Sequence, residues 1–199
     1  MEAVMDRRGR REEILLAALE CFTEHGFAAT TIAEICRRSG ASVGSIYHHF
    51  EDKESLAAEI YLEGLRAYQV GLLGALERNP DAHAAIQALV GHHLRWVEQN
   101  PQLALFLMSR RETELRSATE ARVREINRAF LPRVGEWVRR QVEAGALRPL
   151  PLELWEPVLL GPCQELSRLW LAGHVRTPLK AAERELAETT WRAVKGDRT

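Results

Sequence analysis

The sequence predicts an all-α fold of about nine helices. Nearly every segment repeats its apolar residues with the 3.6-residue period of a helix. No run alternates β-branched and polar residues as a half-buried strand would, and Gly or Asn-Pro pairs cut the chain into helix-sized pieces. At 199 residues, 46% hydrophobic and 28% charged, the chain has room for a small head and a larger body around their own cores.

Leu15, Ala18, Leu19 and Phe22 fall at i, i+3, i+4, i+7 and place a first amphipathic helix over about Arg8 to His25, stopped by Gly26. Two short helices follow. A long one then runs from Asp52 to Arg78 through Leu56, Ile60, Leu65, Tyr68, Leu72 and Leu76, ending at Asn79-Pro80 because a residue before proline avoids helical backbone. Ile86, Leu89, Val90, Leu94 and Val97 mark the next helix, and Asn100-Pro101 separates it from a short apolar one, Leu103 to Met108. An Arg/Glu-rich helix over about Glu112 to Ala144 contains Pro132, which should kink it. Gly145 and Pro149 turn the chain into a helix over about Pro151 to Ala172, where Pro157 and Pro162 predict a bend or break. A last helix spans Pro178 to about Lys195.

Residues 31–50 read TIAEICRRSGASVGSIYHHF. Thr31 with Glu34 three residues on is a capping box that starts a short helix, and Gly40 ends it. Cys36 then Gly40 suits a tight turn between crossing helices: a small residue at the contact, then one free to take positive φ. Ser42 caps the second short helix, with Val43, Ile46 and Phe50 as its expected apolar stripe. A helix entering the major groove, roughly 12 Å wide, needs short side chains where its backbone approaches the bases. Ser42, Gly44 and Ser45 supply that clearance, and Tyr47 and His48, one turn later, can reach flanking phosphates. Lys53, beside Asp52 as cap, puts a cation in the first turn of the next helix, where free amides would join it on a phosphate.

The run Thr30-Thr31-Ile32, Gly40-Ala41-Ser42, Ser45-Ile46-Tyr47-His48-His49-Phe50, Lys53-Glu54-Ser55-Leu56, together with His25-Gly26-Phe27, resembles the TetR (tetracycline-repressor-like) family over about residues 8–60. Cys36 departs from that family's usual alanine but is still small. The resemblance implies an N-terminal helix-turn-helix head over 1–55 and a C-terminal helical ligand-binding and dimerisation domain over 56–199. It implies that Thr31, Tyr47, His48 and Lys53 contact phosphates while Ser42, Gly44 and Ser45 face bases. The expected partners are a double-stranded DNA operator, a small-molecule effector and a second copy of the chain. The expected activity is ligand-responsive repression of transcription.

Charge stands against this reading. The whole chain sums to −1, and residues 1–60 hold seven Arg/Lys against eleven Asp/Glu, a balance of −4. DNA-binding heads usually carry excess positive charge. Glu12, Glu13, Glu20, Glu24 and Glu59 must then face away from DNA, with Arg7, Arg8, Arg10 and Arg11 as a basic arm or a solvated tail. The acidic balance is what supports a rival reading, a helical small-molecule or protein-binding module whose head no longer binds DNA.

One recognition helix is too small to select a genomic site, so dimerisation is expected, with half-sites about 34 Å apart or multiples of that. By resemblance the last two helices make the interface, here with Leu159, Cys163, Leu166 and Trp170 on one and Leu179, Ala182, Leu186, Thr190 and Val194 on the other. Trp96, Phe106, Met108, Phe130 and Trp137 are candidates to line an apolar effector cavity between helices, and the long Asp52–Arg78 helix would carry its signal as a lever.

Other classes find little support. No stretch approaches the roughly 18 apolar residues of a membrane span. Charged Met1 to Arg11 leads into no signal core, and the odd three cysteines, Cys21, Cys36 and Cys163, read as reduced, so a cytoplasmic location is expected. His83, His92 and His93 lack the i, i+4 spacing of a metal pair. No nucleophile triad, phosphate loop or paired carboxylate is visible, and Glu112, Glu114, Arg116, Glu120, Arg122, Arg124 and Glu125 read as a solvated face. Neither an enzyme nor a cofactor is expected.

Overall fold

The computed structural model describes residues 2–109 and 115–196, with side chains described for 9–108 and 119–196. Among these residues there are nine α-helices: α1 (Glu2–His25), α2 (Ile32–Ser39), α3 (Val43–His49), α4 (Lys53–Glu77), α5 (Ala82–Gln99), α6 (Pro101–Ser109), α7 (Leu115–Glu143), α8 (Trp155–Leu171) and α9 (Leu179–Val194). The all-α expectation holds. Extended pairing among the described residues is confined to an isolated antiparallel bridge, Leu147 with Lys195.

The helix boundaries follow local chemistry. Gly26 and Gly40 close α1 and α2 at φ 80° and 68°, a region closed to most side chains. Thr31 and Ser42 open α2 and α3, each hydroxyl accepting the backbone N–H three residues on, at 3.2 and 3.1 Å. Asp81 does the same for α5 at 2.8 Å. The expected break at Pro157 and Pro162 falls earlier instead, at a single 3-10 turn, Leu152–Leu154, after which α8 runs unbroken through both prolines. Pro157 sits in the first turn of α8, where a missing N–H removes no helical bond, and Pro162 removes only one. The first part of the helix expected from Glu112 lies outside the described residues.

The chain divides into two compact units. The first comprises Met1–Leu65 with Gln102–Val123. Its core gathers Ile14, Ala18 and Phe22 of α1, Ile35 of α2, Ile46 of α3 and Leu56 of α4, all at most 5% exposed. Phe106 of α6 stacks on Phe22 with ring centres 5.8 Å apart. The buried Thr30 hydroxyl reaches the carbonyls of Cys21 at 3.1 Å and Gly26 at 2.8 Å, tying the α1–α2 turn to the end of α1.

The second unit comprises Arg66–Pro101 with Arg124–Thr199. Its core clusters Leu72 and Leu76 of α4, Ile86 and Leu89 of α5, Trp137 of α7, and Trp155 and Leu159 of α8. Trp137 is 3% exposed and Leu159 4%.

Candidate nucleic-acid interface

The α2–turn–α3 segment is built locally, which explains why so little sequence specifies it. Ser39 Oγ donates to the Ile35 carbonyl at 2.7 Å and accepts from Ala41 N–H at 3.2 Å, closing the turn around Gly40. Ile46 and Phe50 bury the inner side of α3, at 0% and 4% exposure. The rest of α3 faces outward. Ser42, Gly44, Tyr47 and His48 are exposed and Ser45 is half-buried. A Cβ built on Gly44 would meet nothing nearer than Ser42 Oγ at 3.9 Å, so the space above that backbone is open. Thr31 and Ser42 each spend a lone pair on capping and keep a hydroxyl proton to donate outward.

One expectation needs correction. Val43 does not join the apolar stripe; it is 51% exposed, because the first residue of α3 projects beyond the part of the helix that Ile46 and Phe50 pin down. Lys53 is not a free cation. Its Nζ donates to the carbonyls of Phe27 at 2.8 Å and Thr30 at 2.9 Å, with Ala28 at 3.5 Å, and it lies 4.5 Å from the Phe27 ring centre. An ammonium has three donors, and three carbonyls face them. The α4 amides are occupied too: Ser55 N–H bonds to Asp52 Oδ1 at 2.6 Å, and Asp52 N–H to Ser55 Oγ at 3.0 Å. Lys53 fastens the α1–α2 turn to α4.

The acidic residues of the first unit are largely used up inside it. Glu20 and Glu24 hold Arg38 at 3.7 and 2.6 Å, and Glu34 meets His25 at 2.9 Å. Glu59 and Glu63 take Arg11 at 3.2 and 2.7 Å, and Glu59 also pairs with Arg122. The Arg38 guanidinium holds the Glu24 carboxyl below the usual carboxylate range. Arg10 is paired with Glu13 at 2.9 Å. Arg10 and Arg11 therefore sit within α1 as ion-pair partners, while the Arg7 and Arg8 side chains lie outside the described residues. Arg37, which the sequence reading passed over, is 78% exposed in the last turn of α2, with Glu34 at 3.8 Å as a loose partner.

Residues 14–60 match the sequence profile described as "Bacterial regulatory proteins, tetR family". Over those residues the chain is similar to the tetR family. The chain is 39% identical to the HTH-type transcriptional repressor KstR2 of Rhodococcus jostii over 42% of its length. That match spans only about two fifths (41%) of KstR2's own length. The fold as a whole matches tetR-family structures. A TetR family transcription regulator from Marinobacter aquaeolei VT8 superposes with a TM-score of 0.75 at 20% identity, covering 98% of this chain and 100% of that one. FadR from Bacillus subtilis, solved in complex with stearoyl-CoA, gives 0.76 at 18% identity over 90% and 96%.

The candidate effector residues divide between the two units. Phe106 serves the core of the first unit through Phe22, and Met108 of α6 is half-buried. Trp137 is core in the second unit, Phe130 packs against that core, and Trp96 touches Tyr68 at 4.9 Å between ring centres. Around Tyr68 the second unit holds a polar cluster that the sequence did not announce. Tyr68 Oη lies 2.6 Å from His93 Nδ1, and His93 Nε2 lies 3.1 Å from Ser167 Oγ. Burial lowers the His93 pKa to about 4, with neighbouring His92 pushing the same way, and raises Cys163 to about 12. Burial likewise raises Tyr68 and lowers His92.

Of the expected dimer residues, Leu159 and Thr190 are covered by their own chain at 4% and 1% exposure, so they offer a partner no surface. α9 packs heavily on α5, which sequence periodicity cannot show. Leu166, Trp170 and Leu186 remain partly exposed. Among the described residues no group of three or more His, Cys, Asp or Glu could hold a metal ion, and no helix is long and apolar enough to cross a membrane.

Proposed function

We propose that the protein is a sequence-specific DNA-binding transcriptional regulator, a cytoplasmic homodimeric repressor released from its operator by a small, largely apolar ligand, and not an enzyme. The observation that carries this is the outward face of α3: hydroxyls and a glycine at its leading end, open space above them, Tyr47 and His48 one turn on. Ser42, Gly44 and Ser45 lie against base edges; Thr31, Tyr47, His48 and Arg37 hold phosphates. Residues 1–55 act as the reading head, and 56–199 as the effector and dimerisation part. The named repressors among the relatives support repression. A structural neighbour holding stearoyl-CoA fits an apolar effector class, with Trp96 and Phe130 the side chains the second unit leaves to meet it. Leu166, Trp170 and Leu186 are the surface left for a second copy. Ion pairs to Arg11 and Arg38 occupy Glu59, Glu20 and Glu24 within the head, which supports the DNA-binding reading although the net balance of −4 stays as it is.

The deciding experiment is a mobility shift with the duplex upstream of the protein's own gene and a scrambled control. Wild type should retard the first and not the second, and Tyr47→Ala should weaken the specific complex about tenfold or more, as loss of one good polar contact does. Equal behaviour of wild type and Tyr47→Ala on both duplexes would overturn the reading.

Salt dependence separates the two kinds of basic residue. Arg37→Ala should reduce the slope of log K against log salt by about 1.8, one phosphate's worth of released counterions in each half-site. Lys53→Met should leave that slope unchanged while lowering the melting temperature, because its charge is spent on carbonyls inside the head. A slope change in Lys53→Met would return it to the phosphates.

A further inference from the structure

We propose that Val43 is the base-discriminating residue of α3 and that it reads the C5-methyl group of a thymine in each operator half-site. This rests on the DNA-binding reading above and names what that face selects. Val43 is the first residue of α3, 51% exposed, between exposed Ser42 and exposed Gly44. It stands outside the fully buried side of the helix, which Ile46 and Phe50 supply.

What α3 lacks narrows the choice. Val43–His49 contains no Lys or Arg, so the commonest specific contact, a basic side chain on guanine O6 and N7, is missing from this helix. Ser42 and Ser45 offer hydroxyls, which serve donor and acceptor edges alike and discriminate weakly. The remaining group at the leading end is an isopropyl. Of the four bases, only thymine presents a methyl group in the major groove. A β-branched side chain in a helix is held in one rotamer, so the two Val43 methyls are already in place when DNA arrives. The open space over Gly44 lets the backbone come close enough for so short a side chain to touch a base.

The test starts by enriching duplexes from a random pool with the wild-type protein, then replacing each thymine of the selected half-site by deoxyuridine, which deletes only the methyl. Dissociation constants are measured by fluorescence anisotropy for wild type and Val43→Ala, with melting curves to confirm that the variant folds. At one position wild type should lose about fourfold per half-site, the equivalent of one buried methyl, while Val43→Ala binds the thymine and deoxyuridine duplexes alike. An enriched duplex in which no deoxyuridine change matters, or in which Val43→Ala keeps the same penalty, overturns this inference alone. A pool that yields no enriched duplex overturns the regulator reading itself, and this inference with it.

Discussion

Replacing Gly44 by leucine is expected to weaken operator binding ~100-fold or more while leaving the folded protein at least as stable as before. The two halves of that expectation come from one observation. A side chain at Gly44 enters open space, with Ser42 Oγ at 3.9 Å its nearest neighbour, and the backbone there is not in the positive-φ region. Glycine inside a helix costs about 1 kcal/mol relative to alanine, so the folding equilibrium should gain slightly from the change. On DNA the same side chain occupies the gap through which Ser42, Val43 and Ser45 reach base edges. Each good base contact is worth roughly 1–3 kcal/mol, and lifting the helix off the groove loses several together. Anisotropy titrations and thermal melts of the two proteins decide it. If Gly44→Leu binds as wild type does, α3 does not present this face to the bases.

What could be seen in the sequence, and what could not, divides by distance along the chain. Thr31 with Glu34 and Ser42 with Ser45 are contacts three residues apart, and Gly26 and Gly40 are single-residue requirements, so the head's two short helices were legible. Ile46 and Phe50 were legible as buried, but Val43 was not legible as exposed, because a seven-residue helix fits an apolar stripe in more than one way. The carbonyl partners of Lys53 were not legible because they lie 23 to 26 residues away. Arg38 finds Glu24 at a separation of 14, Arg11 finds Glu59 at 48, and no spacing rule predicts such pairs. In the second unit the difficulty is greater. Helical period said that Leu159 and Thr190 sit on apolar faces, and they do, but it could not say whether a copy of the chain or the chain itself covers them.

Acid is expected to destabilise the protein through His93 by about 3 kcal/mol between neutral pH and pH 4, and His93→Gln to remove that part of the loss. The ring is 3% exposed, and its pKa falls from 6.5 to about 4. Hydrogen bonding does not set the direction, since Tyr68 Oη and Ser167 Oγ are hydroxyls that could accept from a doubly protonated ring as well as serve a neutral one. Burial sets it: taking a charged imidazolium out of water costs far more than taking a neutral ring. Above pH 6.5 the folded and unfolded chains both hold His93 neutral, and the folded state keeps its full advantage. Between pH 6.5 and about 4 the unfolded chain binds a proton that the folded one refuses, so stability falls as pH falls, and the loss levels off below the folded value. Against a total stability of roughly 5–15 kcal/mol this is large enough to move an unfolding midpoint visibly. Surface carboxylates such as Glu24 add their own acid loss, and His92 a further part in the same sense, so the comparison must be between proteins at equal concentration. Urea unfolding followed by tryptophan fluorescence at pH 7.5 and pH 4.5 supplies it. Glutamine can still hydrogen-bond within the cluster but cannot take up a proton, so its pH 7.5 to pH 4.5 loss should be smaller than that of wild type by most of those 3 kcal/mol. Identical pH slopes would mean that the unit opens around His93 before the ring is charged, and that Tyr68, His93 and Ser167 do not bind α4, α5 and α8 into one buried block.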